Sequence, residues 1–266
     1  MSISKRHLLK STALVLFVPA AHTANAQVSV ATAINRAARF RALSQRCAKA
    51  YCQLQQEILP DSARDVMASA QRLIQIGFED LARAKLPAST TGQLNDLQKE
   101  SNLLNTMLTT APTQTQTQKV SQQADRMLVA ADQLAVAIET STNQQTGKLI
   151  NLSGRQRMLS QRLAKNYFLS AAGGGSKAMR ELQAADRADF KSAMLALNAA
   201  PISTASIRNE LQVTQSQWVF FDAALDRKPD LMALRDIATT SERLLEASNN
   251  LTAYYELALK DVLGSI

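Results

Sequence analysis

The sequence INRAARFRALSQRCAKAYC at residues 34–52 occurs again at residues 150–168 as INLSGRQRMLSQRLAKNYF. At an offset of 116 residues, 11 of the 19 positions are identical. A weaker match at an offset of 117 aligns QADRMLVAADQL (123–134) with TSERLLEASNNL (240–251). Because both ends of the unit repeat at nearly the same offset, we expect a duplicated domain. The two units are predicted to cover residues 28–141 and 144–266.

The composition of the chain indicates a helical protein. It is rich in the good helix formers Ala, Leu, Gln and Arg, whereas aromatic residues make up only 5%. Proline and glycine divide each unit into four stretches in which apolar residues recur at helical spacing. We therefore predict an all-α fold of two tandem up-down four-helix bundles. The predicted helices cover about 28–58, 61–86, 92–110 and 118–140, then 144–172, 177–199, 204–226 and 230–263.

The arrangement of the two bundles depends on the segment STNQQTG, residues 141–147. A reversal there would place the first helix of unit two beside that of unit one and parallel to it. The chain would then form an intramolecular pseudo-dimer. The alternative is an unbroken helix over about 118–172, which would stack the bundles end to end. We favour the reversal because Gly147 and the polar run interrupt the helical pattern.

Residues 1–26 have the three parts of a secretory signal. A basic stretch from Lys5 to Lys10 precedes an apolar run at 11–21, and Ala24-Asn25-Ala26 supplies a small-x-small cleavage site. An uncleaved membrane anchor is the alternative, although the apolar run is about half the roughly 20 residues that a spanning helix needs. We therefore expect an exported, periplasmic protein.

Removal of this segment excludes several kinds of chemistry. Both histidines, His7 and His22, lie inside it, so histidine-dependent catalysis and histidine-ligated metals are not expected. Cys47 and Cys52 lie about 140° apart on a helix and are expected to be buried apolar residues rather than a disulfide. No paired-carboxylate, phosphate-loop or metal-ligand spacing occurs. We therefore expect neither an enzyme nor a cofactor, and export argues against a nucleic-acid partner despite the net charge of +8.

The repeated helix has a second face besides its core stripe. Arg157 lies on that face in a row with Ile150, Gly154, Gln161 and Ala164. Small residues one turn either side of the arginine would let another helix approach, so we expect two buried sides. In the first copy the row contains Ile34, Ala38, Arg41, Gln45, Ala48 and Cys52.

Arginines in such a seam need a counter-charge, and the two 19-residue segments contain no Asp or Glu. If the two helices pack together, Arg41 and Arg157 converge. At about 5 Å and an effective dielectric near 20 they would repel by roughly 3 kcal/mol. A small oxyanion reverses the sign of that interaction, and a planar guanidinium suits oxyanion recognition. The predicted ligand-binding residues are Arg41, Arg157, Gly154, Ala38, Ser160 and Ser44. Structural ion pairs or solvation of the two arginines are the alternatives.

The other arginines of the repeat point elsewhere. Arg39 and Arg155 project about 160° from the central arginines, and we expect them at the surface. Arg46 and Arg162 lie five residues beyond the central arginines, and we expect them to pair with acids of their own bundle.

The second copy closely resembles the signature helix of the PilJ-type domain, the N-terminal sensing domain of type IV pilus methyl-accepting chemotaxis transducers. It is also similar to the sensing helix of NarX-type nitrate/nitrite sensor kinases. The resemblance implies a periplasmic four-helix bundle that dimerises through its first helix. In nitrate-sensing members, nitrate binds across the dimer axis between paired arginines. The arginine, glycine and methionine of the motif match Arg157, Gly154 and Met158, whereas the first copy has Ala38 and Ala42 beside its arginine.

Two functions are therefore considered. In the first, the chain is a periplasmic sensory protein that binds a small oxyanion, nitrate or nitrite, and relays to a separate membrane sensor, because no kinase or methyl-accepting region is recognised. In the second, it is a helical interaction module without a ligand, associated with a membrane sensor or a pilus/chemotaxis system. The altered first copy favours the second reading. A homodimer is compatible with either.

Overall fold

The computed structural model describes residues 29–141 and 147–263. The signal segment predicted at 1–26 and most of the predicted reversal at 141–147 lie outside these residues. The described part of the chain is all-α. Its helices are α1 (Val30–Gln55), α2 (Pro60–Arg83), α3 (Thr91–Leu108), α4 (Gln114–Ser141), α5 (Gly147–Leu169), α6 (Lys177–Asn198), α7 (Ala205–Leu225) and α8 (Leu231–Leu263). A 3₁₀ turn (Ala88–Thr90) precedes α3, and a π-helical turn (Ser170–Gly174) follows α5.

The helix ends follow the capping chemistry of the sequence. Ser29, Ser176 and Thr204 each accept a hydrogen bond from a backbone N–H three residues later and begin α1, α6 and α7. Pro60 occupies the first turn of α2, where its missing N–H costs nothing. After α5 the chain turns at Gly173, whose φ of 87° favours glycine. The predicted helices are confirmed to within a few residues at most ends.

Helices α1 and α5 form the centre of the molecule. Helix α1 packs against α2, α4, α5 and α8, and α5 packs against α1, α6 and α8. Near their first residues, Gly147 lies against the side chain of Ile34. Near their last residues, Gln56 donates from Nε2 to the carbonyl oxygen of Phe168 at 3.1 Å. The two helices therefore run parallel and side by side.

Helices α4 and α5 run antiparallel to each other. Asn151 donates from Nδ2 to Oε2 of Glu139 at 2.7 Å, and Lys165 donates from Nζ to Oδ1 of Asp125 at 2.6 Å. In one continuous helix, residues 139 and 151 would be about 18 Å apart. The alternative of an unbroken helix over 118–172 is therefore wrong.

No helix in the ranges 29–141 and 147–263 has the length and apolar character needed to cross a bilayer. Cys47 and Cys52 are both buried, as expected, and burial raises the pKa of each thiol to about 12.

The contact between α1 and α2 depends on a glycine. A Cβ added at Gly77 would lie 2.7 Å from Cζ of Phe40, which is fully buried. We expect Gly77→Ala to lower the free energy of unfolding by about 1–3 kcal/mol, because the ring has to shift inside a packed core. Gly92→Ala in α3 is the matched control, since an added Cβ there meets nothing within 4 Å. Urea unfolding measures both variants, and equal stabilities would contradict this packing.

Candidate anion-binding site

Arg41 is buried between the two central helices and is already neutralised. It is 2% exposed, and its Nη1 lies 2.5 Å from Oδ1 of Asp132 on α4. Its Nη2 donates to Oδ1 of Asn151 at 2.7 Å, and its Nε donates to the carbonyl oxygen of Ala38 at 3.2 Å. Burial lowers the pKa of Arg41, and the charge of Asp132 opposes that effect. The expectation that this arginine needs an external anion is therefore wrong.

Arg157 is equally buried, at 2% exposure, but has no carboxylate within ion-pair distance among the described residues. Its Nη2 donates to Oδ1 of Asn35 at 2.8 Å, and its Nε donates to the carbonyl oxygen of Gly154 at 3.4 Å. Burial, followed by the positive charges of Arg39 and Arg41, holds the pKa of Arg157 well below its ordinary value. Nη1 of Arg157 makes no hydrogen bond to the described residues, and it is not one of their fully buried polar atoms without a partner.

Each arginine contacts an asparagine of the opposite helix, and each asparagine is held by a glutamate. Asn151 contacts Arg41 through Oδ1 and donates from Nδ2 to Glu139. Asn35 contacts Arg157 through Oδ1 and donates from Nδ2 to Glu256. The residues of the second set follow those of the first by 116 or 117 positions, with the two asparagines exchanged. The seam is therefore built from reciprocal contacts.

Two buried lysines repeat this reciprocal pattern. Lys49 on α1 contacts Oε1 of Glu242 on α8 at 2.5 Å, and Lys165 on α5 contacts Oδ1 of Asp125 on α4 at 2.6 Å. The lysine side chains are 0% and 1% exposed. Burial lowers the pKa of both ammonium groups, and the acids oppose that effect.

The missing carboxylate beside Arg157 has a visible cause in the sequence. At the offset of 117, Asp125 corresponds to Glu242 and Glu139 corresponds to Glu256, and both correspondences hold in their contacts. Asp132 lies between Asp125 and Glu139, two helical turns from each, and its counterpart at the same offset is Asn249. Asn249 is half-buried and carries no charge. The second arginine therefore lacks its ion pair because an amide stands where the first half has an acid.

The remaining predicted site residues lie close to the arginines. A Cβ on Gly154 would be 2.8 Å from Nη2 of Arg157 and 3.5 Å from Cβ of Ala38, so the glycine leaves room for the guanidinium. The hydroxyls of Ser44 and Ser160 donate to the carbonyl oxygens of Arg41 and Arg157 at 3.0 and 2.8 Å. These serine protons are thus used within their own helices.

One turn further along the seam, Gln45 and Gln161 are fully buried. Their Oε1 atoms have no hydrogen-bond donor among the described residues. Two unpartnered acceptors disfavour an anion on that side of the arginines.

Two expectations for the neighbouring arginines are wrong. Arg39 is half-buried rather than at the surface, and burial and then Arg36 lower its pKa. Arg46 pairs with Glu242 of the second half and not with an acid of its own half. Arg155 is exposed and pairs with Asp189 on α6, as its direction on the wheel indicates.

Arg162 contacts Asp186 of α6 in its own half, which confirms its expected partner. The sequence does not mark Arg39 as a site residue, because its distance from Arg157 depends on how α1 packs against α5.

One protein family matches part of the chain. Residues 138–241 match the family described as "PilJ: Type IV pili methyl-accepting chemotaxis transducer N-term". The match supports the PilJ-type assignment. It begins at the end of α4 and extends into α8, so it includes α5 with Arg157 and Gly154. Comparisons with curated proteins and with solved structures gave no match. The PilJ domain is a non-catalytic, sensory type of domain, and this is the functional class that the match supports.

Proposed function

We propose that the chain is a periplasmic sensory protein made of two PilJ-type copies, at 28–141 and 144–266, packed as an intramolecular pseudo-dimer. The reciprocal arginine–asparagine and lysine–acid contacts across α1, α4, α5 and α8 support this arrangement. In an isologous dimer each subunit gives the other the same contacts. Here one polypeptide supplies both sides, so the two sides can differ at single positions.

We further propose that a small oxyanion binds at Arg157. This proposal rests on a buried guanidinium whose Nη1 has no acceptor, and which has no carboxylate partner, among the described residues. A buried charge without a partner is costly, and a bound anion removes that cost. Arg39 adds a second positive charge nearby.

Nitrate or nitrite is the ligand that this chemistry fits best. Both are small, planar monoanions whose oxygens can accept a forked pair of guanidinium hydrogen bonds. A single negative charge matches the guanidinium of Arg157, which has no carboxylate partner among the described residues. Chloride is a single atom and cannot present two separate acceptor oxygens, so it serves as the comparison ion.

Binding at Arg157 would require the seam to open, because the guanidinium is only 2% exposed. Opening would move α1 relative to α5, and such a movement is what a sensory domain can transmit to a membrane-bound partner. The same low exposure also favours the second candidate, a helical interaction module that binds a membrane sensor without any ligand. Ligand titration separates the two candidates.

We expect isothermal titration calorimetry of the purified chain to give heat with nitrate or nitrite and less or none with chloride. Arg157→Gln is expected to weaken binding about tenfold or more, since a charged hydrogen-bond donor contributes about 1.5–3 kcal/mol. Arg155→Gln is the matched control, because Arg155 is exposed and contacts Asp189 on α6. Absence of heat with both oxyanions, or equal affinity in Arg157→Gln, would overturn the anion proposal and leave the interaction module.

A further inference from the structure

An open cleft separates α2 from α3 on the outer side of the first half. Its volume is about 630 Å³. Ile74, Phe78, Leu104 and Leu108 supply the apolar part of its lining. This volume is typical of a site for a small organic molecule.

The two halves of the chain can be compared at this cleft because residues at corresponding positions link α2 to α3 in the first half and α6 to α7 in the second. Gln71 donates from Nε2 to Oδ1 of Asn105 at 2.6 Å in the first half. Arg187 contacts Oδ1 of Asp222 at 2.6 Å in the second half. These residues correspond at offsets of 116 and 117.

The buried positions follow the same register. On α2 and α6 they correspond at an offset of 116, as Ala70, Ile74 and Leu81 correspond to Asp186, Phe190 and Leu197. On α3 and α7 they correspond at 117, as Leu97, Ser101 and Leu104 correspond to Thr214, Trp218 and Phe221.

In the second half two aromatic rings fill part of the corresponding place, and α6 and α7 still border a cleft of about 530 Å³. Phe190 and Trp218 stack with ring centroids 4.0 Å apart and an interplanar angle of 12°. In this register their counterparts are Ile74 and Ser101, and both line the cleft. The first half therefore lacks an indole ring that its partner half uses to join the two outer helices.

We propose that the α2–α3 cleft binds a planar aromatic molecule, which occupies the position that Trp218 fills in the second half. Ile74, Phe78 and Leu104 contact the ring faces. Dispersion and apolar burial drive binding, and an aromatic neighbour such as Phe78 adds to it.

The polar lining selects an uncharged ring with a polar edge. Gln75 donates to Oε1 of Glu79 and Gln98 donates to Oδ1 of Asn102 along the cleft, and the second N–H of each amide can donate to one ring substituent. Arg72 and Glu79 contribute opposite charges to the lining, so the cleft has no net charge to attract an ion. The site is thus distinct in place and chemistry from the anion site, and neither depends on the other.

Indole is the probe for this proposal, titrated into the whole chain by calorimetry. We expect saturable one-to-one binding. Ser101→Trp places an indole in the cleft covalently and is expected to weaken indole binding about tenfold or more, the loss of at least 1.4 kcal/mol. Asn95→Trp is the matched control, because Asn95 is exposed on α3 and does not line the cleft. It should bind indole as the wild type does.

Ile74→Phe narrows the cleft from α2 and is expected to weaken indole binding as well. It keeps the test decisive if Ser101→Trp fails to fold cooperatively. Absence of saturable binding to the wild type would overturn the proposal. Undiminished binding in a folded Ser101→Trp or Ile74→Phe variant would do the same.

Discussion

Asn249→Asp is expected to weaken oxyanion binding strongly. The new carboxylate would stand beside Arg157 as Asp132 stands beside Arg41, where the ion pair measures 2.5 Å. An internal counter-charge competes with any external anion at its effective concentration, which for a held side chain is very high. We expect the affinity for nitrate and nitrite to fall by about a hundredfold or more, the equivalent of roughly 3 kcal/mol for a charged pair. Calorimetry on the wild type and the variant measures it.

The same substitution should raise the melting temperature without ligand, because it neutralises a buried guanidinium. This second readout separates two failures. If the wild type binds and the variant binds equally well, Asn249 does not control the site. If the wild type does not bind but the variant is stabilised, the charge imbalance is present and the receptor proposal is wrong.

Asp132→Asn is the reciprocal variant. It removes the ion pair of Arg41, so two guanidinium groups in the seam then lack a carboxylate. We expect lower stability without ligand and tighter binding of nitrate or nitrite. Unchanged affinity together with unchanged stability would show that Asp132 does not neutralise Arg41.

Glu242→Gln is expected to lower the free energy of unfolding by several kcal/mol. The carboxylate contacts both Lys49, whose side chain is 0% exposed, and Arg46. Removing one partner of a buried ion pair leaves an uncompensated charge and costs about 3–5 kcal/mol. Urea unfolding at pH 7 measures the loss. Asp189→Asn is the control, because the Arg155–Asp189 pair is exposed and should contribute about 0–1 kcal/mol.

The pH dependence gives an independent check on Glu242. Burial raises the pKa of Glu242, but Lys49 and Arg46 outweigh it and lower the pKa from 4.5 to about 2. A carboxyl group with a depressed folded-state pKa stabilises the fold above its unfolded pKa, and the stabilisation is lost as the pH falls. The wild type should therefore lose stability between pH 4.5 and 2, and Glu242→Gln should lose less over that range. Parallel pH profiles would contradict the ion pair.

The helices and the buried seam could be predicted from local features of the sequence. Proline, glycine and the capping residues Ser176 and Thr204 mark the helix ends. The small residues Ala38 and Gly154, one turn from the arginines, predict a second buried face on each repeated helix. Arg41 and Arg157 are indeed both buried.

The charge balance of the seam could not be predicted from the repeated helix alone. The counter-ion of Arg41 is Asp132, which lies 91 residues away on α4. The repeat indicates that positions 132 and 249 correspond, but only the packing of α4 against α1 shows that this position faces an arginine. The sequence places Arg46 beside an acid of its own half for a similar reason. Its actual partner, Glu242, lies on α8 and comes within reach only because α8 packs against α1.

Oxyanion binding at Arg157 can be tested with a crystal structure of the chain grown in sodium nitrate, compared with one grown in sodium chloride. We predict a planar ion within about 3 Å of Nη1 of Arg157 in the nitrate crystals alone. Arg41 should keep its contact with Asp132 in both. A seam that is identical in the two crystals, with no ion at Arg157 or with a carboxylate of the chain already against it, would rule out oxyanion binding there.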